Sequence, residues 1–299
     1  MAEVPLPAWT KEGDALDVAG VSRLEDLTPE WAWGGADGTG VRVAVIDSGI
    51  DSGHPALEGC VDDADAVSFH VTGDGEVVEV AGPHGDSFGH GTACAGIIHS
   101  LAPGARLTSV KVLGQGLQGK AGAFLAGLRW AADNRYEVIN LSLGTRRRDW
   151  ALAFHDACDR AYFAGSIVVT AANNVQRRSY PSLYASVTSV ACNTSDDPQR
   201  FHWNPHPPTE FLARGIDVEV PWLDGQTIRS TGNSYAAPHI SGMAALIRSK
   251  HPDLQPFQVK TVLWAMSANV REATAVETAG KLSRRMEAAR PPALGGPAA

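Results

Sequence analysis

The run Val41-Arg-Val-Ala-Val-Ile46 constrains the fold of this chain more than any other stretch. It is almost continuously apolar over a strand's length, the pattern of a β-strand covered on both faces within a parallel sheet. Asp47 closes it. The preceding loop, Gly34-Gly-Ala-Asp-Gly-Thr-Gly40, is glycine-rich. A dinucleotide-binding turn, however, carries its glycines after the strand and before a helix, so no cofactor is expected here. Similar apolar runs recur downstream. Residues 107–113, 138–143, 166–170 and 186–191 read as strands, whereas 121–134, 151–164, the segment after Ser234 and residues 253–268 read as helices. Residues 59–89 read as an irregular, acidic surface excursion. Strands alternating with helices imply an α/β fold of three layers, a mostly parallel central sheet with helices on both faces.

With 299 residues, 44% hydrophobic and 19% charged, the sequence is long enough for one large domain. We expect that domain over residues 29–270, an N-terminal extension over 1–28 anchored through Trp9, and a partly helical or disordered tail over 271–299. A formal charge of −8 gives no basis for nucleic-acid binding, which draws on a clustered basic face. No segment approaches the roughly 18 apolar residues of a membrane span, and the start lacks a basic and apolar leader, so a cytoplasmic location is expected. Cys60, Cys94, Cys158 and Cys192 have no paired close spacing and are expected to be buried free thiols, not a disulfide framework or zinc site. Nothing in the sequence specifies an oligomeric state.

Three junctions carry chemistry. The stretch Ser230-Thr-Gly-Asn-Ser-Tyr-Ala-Ala-Pro-His239 runs from a polar turn into an Ala-rich segment, which puts Ser234 in the first turn of a buried helix. The exposed N–H groups there favour negative charge. Asp47 stands at the C-terminal end of a central strand, where open α/β sheets present their crevices, although an Asp there can equally cap a turn. In Phe88-Gly-His-Gly-Thr-Ala-Cys94 a histidine flanked by glycines begins a second helix. It reads as presented and not packed, with the near-neutral pKa that general-base work requires. Ala171-Ala-Asn-Asn174 brings side-chain amides to the same sheet edge, suited to an oxyanion or simply to a loop.

The order Asp47, His90, Ser234 is that of the subtilisin triad. The sequence resembles the subtilase family through Val43-Ala-Val-Ile-Asp-Ser-Gly-Ile-Asp51, His54-Pro55, His90-Gly-Thr92 with Ala95-Gly96, Asn140-Leu-Ser-Leu-Gly144, Tyr180-Pro181 and Gly232-Asn-Ser-Tyr-Ala-Ala-Pro-His239. The resemblance spans roughly residues 29–268 and implies the subtilisin-like fold. It also implies Ser234 as nucleophile, His90 as general base and acid, and Asp47 as the carboxylate that orients the imidazole. By the same resemblance Asn174 and the Ser234 N–H form the oxyanion hole. Ser142, Leu143 and Gly144, a strand around Leu117, Gln118 and Gly119, and Asn173 would line a peptide-binding cleft. A peptide or protein substrate is implied, with no cofactor and no metal. The segment 95–105 lacks the longer loop that holds the tight calcium of many relatives, and neither a propeptide domain nor a Tyr-Gly-x-Gly closing hairpin is seen. Asn233 and Asn173 replace the usual Thr and Gly beside the reacting centre, and Cys94 matches a free cysteine of proteinase K-like members.

The leading expectation is a serine endopeptidase working through an acyl-enzyme, suited to maturation of a dedicated precursor peptide. Resolution of the same intermediate by a peptide amine would make a transpeptidase or macrocyclase, and loss of turnover would leave a peptide-binding relative. Arg146-Arg-Arg148 and Arg177-Arg178 follow two of the cleft segments. If both faced the cleft they would favour an acidic peptide; otherwise they face water.

Overall fold

The computed structural model describes residues 26–275. The expected extension over 1–28, with Trp9, lies almost wholly outside the described residues, as does most of the 271–299 tail. Helix α1 (Pro29–Trp33) opens the domain, with Thr28 accepting the Trp31 N–H and Pro29 in the first turn, where its missing N–H costs nothing.

Strand β1 (Arg42–Asp47) lies inside the sheet, parallel to β4 (Arg106–Lys111) on one side and to β5 (Val138–Leu141) on the other. Val43 sits opposite Leu107 on the first neighbour and Val138 on the second. Beyond β4 come β2 (Val67–Val71), parallel, and the antiparallel edge strand β3 (Val77–Ala81). Beyond β5 come β6 (Ile167–Ala171), β7 (Thr188–Asn193) and β9 (Phe211–Arg214), all parallel, and then the short antiparallel β8 (His202–Trp203). A separate hairpin joins β10 (Val218–Pro221) to β11 (Thr227–Ser230).

The apolar run of β1 serves both faces. Val43 and Val45 join a core with helices α2 (His90–Leu101), α5 (Asn233–Lys250) and α6 (Pro256–Met266), through residues such as Ile98, Ile240 and Leu263. Ala44 and Ile46 join the opposite core with α3 (Ala121–Asp133) and α4 (Ala151–Phe163), through Phe124, Leu128 and Phe154. Burying each Val or Ile contributes about 1.5–3 kcal/mol, so a strand whose every other side chain enters a different core is held in register from both sides. This is the expected three-layer α/β fold. From β1 the chain builds first toward β4 and then crosses to β5, so the sheet reverses direction at β1 and opens a crevice at the C-terminal strand ends.

Two local expectations are corrected. Residues 59–89 are not irregular: they contain the β2–β3 hairpin. Its signal is weak because β3 is an edge strand with Val77 43% and Val80 49% exposed, leaving no alternation of buried and wet positions. Residues around Leu117 form no strand. A 3₁₀ turn (Gln115–Leu117) occupies the place, with Leu117 at φ +56°, and Gln118 returns to extended backbone.

Candidate active site

The Asp-Ser-Gly and His-Gly-Thr motifs fit one another at backbone level. A side chain at Gly91 would bring a Cβ within 1.9 Å of the Gly49 carbonyl oxygen, so only glycine lets the mouth of α2 approach the end of β1. Gly49 itself has φ +108°, a conformation that L side chains rarely adopt. Through this contact His90, the first residue of α2, meets Asp47, the last of β1.

Asp47 is fully buried, and the His90 Nδ1–H is shared between its Oδ1 at 2.8 Å and Oδ2 at 2.9 Å, with the Ser48 N–H also donating to Oδ1 at 2.8 Å. This bond fixes the tautomer, leaving Nε2 as the free basic atom. His90 departs from expectation in one respect. Its side chain is only 7% exposed, packed beside the Tyr235 ring at 5.3 Å, so it is enclosed and opens only toward the cleft. Burial by itself disfavours the imidazolium, but the Asp47 charge and hydrogen bond, with Cys94, hold the His90 pKa well above the ordinary histidine value. Cys94 lies one turn on, wholly buried, its sulfur 3.9 Å from both Nδ1 and the Asp47 Oδ2. Asp47, His90 and Cys94 are a metal-ligand type grouping, but the Nδ1 proton is already committed to the carboxylate.

Asp86 belongs to the site although nothing in the acidic stretch around it singled it out. Its Oδ1 accepts from the Ser48 hydroxyl and the Phe88 and Gly89 N–H groups. Its Oδ2 accepts from the Thr92 N–H and hydroxyl. A carboxylate there satisfies orphan N–H groups of α2 and complements its dipole, fixing the turn that carries His90. The readable signal was an Asp three residues before the glycine that precedes a helix.

Ser234 lies in the first turn of α5 and lines, with His90, Asn173 and Asn174, a cleft of about 360 Å³. Its hydroxyl has no hydrogen-bond partner among the described residues. Pro238 sits one turn downstream and lacks the N–H that would bond the Ser234 carbonyl. That carbonyl instead accepts from the Ser142 hydroxyl at 3.0 Å and from the Cys94 thiol at 3.6 Å. Ser142 in turn accepts from the Asn140 Nδ2 at 3.1 Å, and the Asn140 Oδ1 accepts from Ser241 on the same helix at 2.9 Å. The Asn-Leu-Ser motif thus ties β5 to the serine helix.

Asn174 follows β6 and accepts the Asn233 N–H on Oδ1 at 2.9 Å, which leaves its Nδ2 as a donor beside the cleft. The Asn233 side chain accepts from the Cys192 N–H at 2.9 Å and donates to the Ala172 and Asn173 carbonyls at 3.2 and 3.1 Å. It spans the ends of β6 and β7. The Asn173 Oδ1 is occupied by the Val175 N–H at 3.0 Å.

Among the other expected cleft residues, Leu117, Gly119, Ser142, Leu143 and Gly144 line the same cavity as Ser234. Gln118 does not, and lines a neighbouring cavity against β2. All four cysteines are free, three of them buried and Cys192 partly so. No helix among the described residues is long and apolar enough to cross a membrane.

A parallel sheet that presents an aspartate to a histidine across one cleft from a helix-mouth serine is the arrangement of subtilisin-like proteins, and the comparisons agree. Residues 38–283 match the model of the subtilase family. The chain is 33% identical over 238 residues to the thermostable alkaline protease of Halalkalibacterium halodurans, covering 76% of this chain and 62% of that protein's length. A solved cold adapted subtilisin-like serine proteinase is similar with a TM-score of 0.63 and 25% identity, over 79% of this chain and 87% of that one. A solved lanthipeptide protease is similar with a TM-score of 0.61 and 26% identity, over 73% and 77%. The chain belongs to the subtilase family.

Proposed function

We propose that this protein is a serine endopeptidase that cleaves peptide bonds through an acyl-enzyme on Ser234. The observation that carries the reading is the Asp47–His90 pair, bonded through Nδ1 and opening by its other edge into the cavity that holds Ser234. In this reading a peptide carbonyl enters beside Ser234. His90 Nε2 takes the hydroxyl proton as Oγ attacks, and Asp47 stabilises the imidazolium that forms. The charge on the carbonyl oxygen is met by the Asn174 Nδ2 and the Ser234 N–H at the positive end of α5. His90 then protonates the leaving amine, and water repeats the sequence in reverse to free the acid. Ser142 and Asp86 would act by position, one holding the Ser234 carbonyl and the other the His90 turn.

The natural substrate in this reading is a precursor peptide matured by one defined cut, supported by the likeness to a lanthipeptide protease. The experiment is labelling with a fluorophosphonate, with Ser234→Ala as control. Stoichiometric labelling of Ser234 alone is expected, and a folded protein that stays unlabelled would leave peptide binding as the function. Product masses complete the test, because hydrolysis adds one water to the substrate and aminolysis adds none.

A further inference from the structure

The two arginine clusters meet. The loop after β5 carries Arg146, Arg147 and Arg148, the loop after β6 carries Arg177 and Arg178, and an antiparallel bridge joins the loops between Thr145 and Tyr180. Reciprocal backbone hydrogen bonds of 2.9 and 2.8 Å close that bridge. All five guanidinium-bearing residues line one open basin of about 630 Å³. Gly144, Thr145 and Asn173 line both this basin and the cleft that holds His90 and Ser234, so the two are continuous. Asn173 adjoins Asn174, and the shared wall is therefore the one next to the expected oxyanion position.

The basin's charge is unbalanced. Asp149 pairs with Arg147, and among the described residues no ion pair or hydrogen bond engages the side chains of Arg146, Arg148, Arg177 or Arg178. They stand together on a chain whose formal charge is −8. Guanidinium groups match carboxylates through paired, planar hydrogen bonds, and several of one sign around a concavity reinforce each other's field. In the proposed peptidase reading, a peptide laid across Ser234 would pass the wall that the two cavities share.

We propose that the arginine basin is a specificity site selecting peptides with a Glu or Asp side chain close to the scissile bond. The assignment rests on the reading of the cleft as a peptidase site, and it concerns preference, not the chemistry. Charge selection of this kind is electrostatic and partly exposed, so it weakens as salt rises.

The test uses matched internally quenched peptides carrying Glu, Gln or Lys at each position flanking the cut. At one position the kcat/KM for Glu should exceed that for Gln by about tenfold or more at low salt, Lys should be poorer than Gln, and the gap should narrow in high salt. Two double variants, Arg177→Gln with Arg178→Gln and Arg146→Gln with Arg148→Gln, should each shrink the Glu-to-Gln ratio, and all four together should bring it to about one. Peptide affinity measured by fluorescence anisotropy on Ser234→Ala reads the same ratio without turnover. A protein that binds acidic peptides but never labels with fluorophosphonate would thus keep the basin and lose the peptidase reading. Equal handling of Glu and Gln at every position, or a preference that survives loss of all four arginines, overturns the proposal.

Discussion

The backbone N–H of Asn233 donates to the Oδ1 of Asn174 at 2.9 Å, so the residue before the serine orients the amide that faces the cleft. With its oxygen engaged, the Asn174 amide can offer only N–H groups to a developing oxyanion. Asn174→Ala should lower kcat by about 10²–10³ with little change in KM, a magnitude established on a subtilisin. Steady-state kinetics on a neutral peptide checks it.

Asn233 holds three further hydrogen bonds, to the Cys192 N–H and to the Ala172 and Asn173 carbonyls. Asn233→Ala leaves a strand N–H and two carbonyls unpaired, and should destabilise the fold by about 1–3 kcal/mol while lowering kcat. Asn233→Thr can accept from Cys192 but cannot bridge both carbonyls, and should recover part of each loss. A double-mutant cycle with Asn174→Ala should be non-additive, as expected of residues in one network.

The raised His90 pKa sets the pH dependence. In the proposed mechanism His90 must be neutral to accept the Ser234 proton, so kcat/KM should climb with pH through a midpoint above about 6.5, the ordinary histidine value. Asp47→Asn should pull that midpoint down and cut kcat by about 10⁴. For stability the sign is opposite. The imidazolium–carboxylate pair stabilises the fold fully below the unfolded pKa and loses that contribution as pH rises through the raised folded value. Thermal unfolding of wild type against Asp47→Asn over neutral to alkaline pH measures the difference.

Asp86 fixes the turn ahead of His90 by accepting from the Ser48 hydroxyl, two loop N–H groups and both donors of Thr92. Asp86→Ala should destabilise the protein by about 2 kcal/mol or more and lower kcat/KM through a displaced imidazole, with Asp86→Asn retaining more of both. Thermal midpoints and kinetics together separate it from a surface acid.

Cys94 touches the Asp47–His90 pair but is fully buried, and burial raises its pKa. Reaction with a bulky mercurial should therefore be slow and should abolish activity, with Cys94→Ala insensitive. No loss of activity at full modification of Cys94 would refute the contact's importance.

Much of this was legible in the sequence because the signals were local. The β1 run, the helix start at Ser234 and the glycines beside His90 each declare a conformation within a few residues. The β3 edge strand was not, since its side chains are mostly wet and no period results. The enclosure of His90 was hidden for another reason: Tyr235, which covers it, is 145 positions downstream and reaches it only through the packing of α5 on α2. Asp86 failed to stand out from its acidic neighbours because its partners are mainly backbone groups.

Pro238 gives the Ser234 carbonyl to side chains from β5's end and from α2, so the backbone of this serine is fastened from outside its own helix. Timing follows from this. During synthesis the parts of the cleft emerge in the order Asp47, His90, Asn140 and Ser142, Asn174, and only then Ser234. Ser234 comes after every one of these partners, so the groups that fasten its backbone are synthesised before the residue they hold.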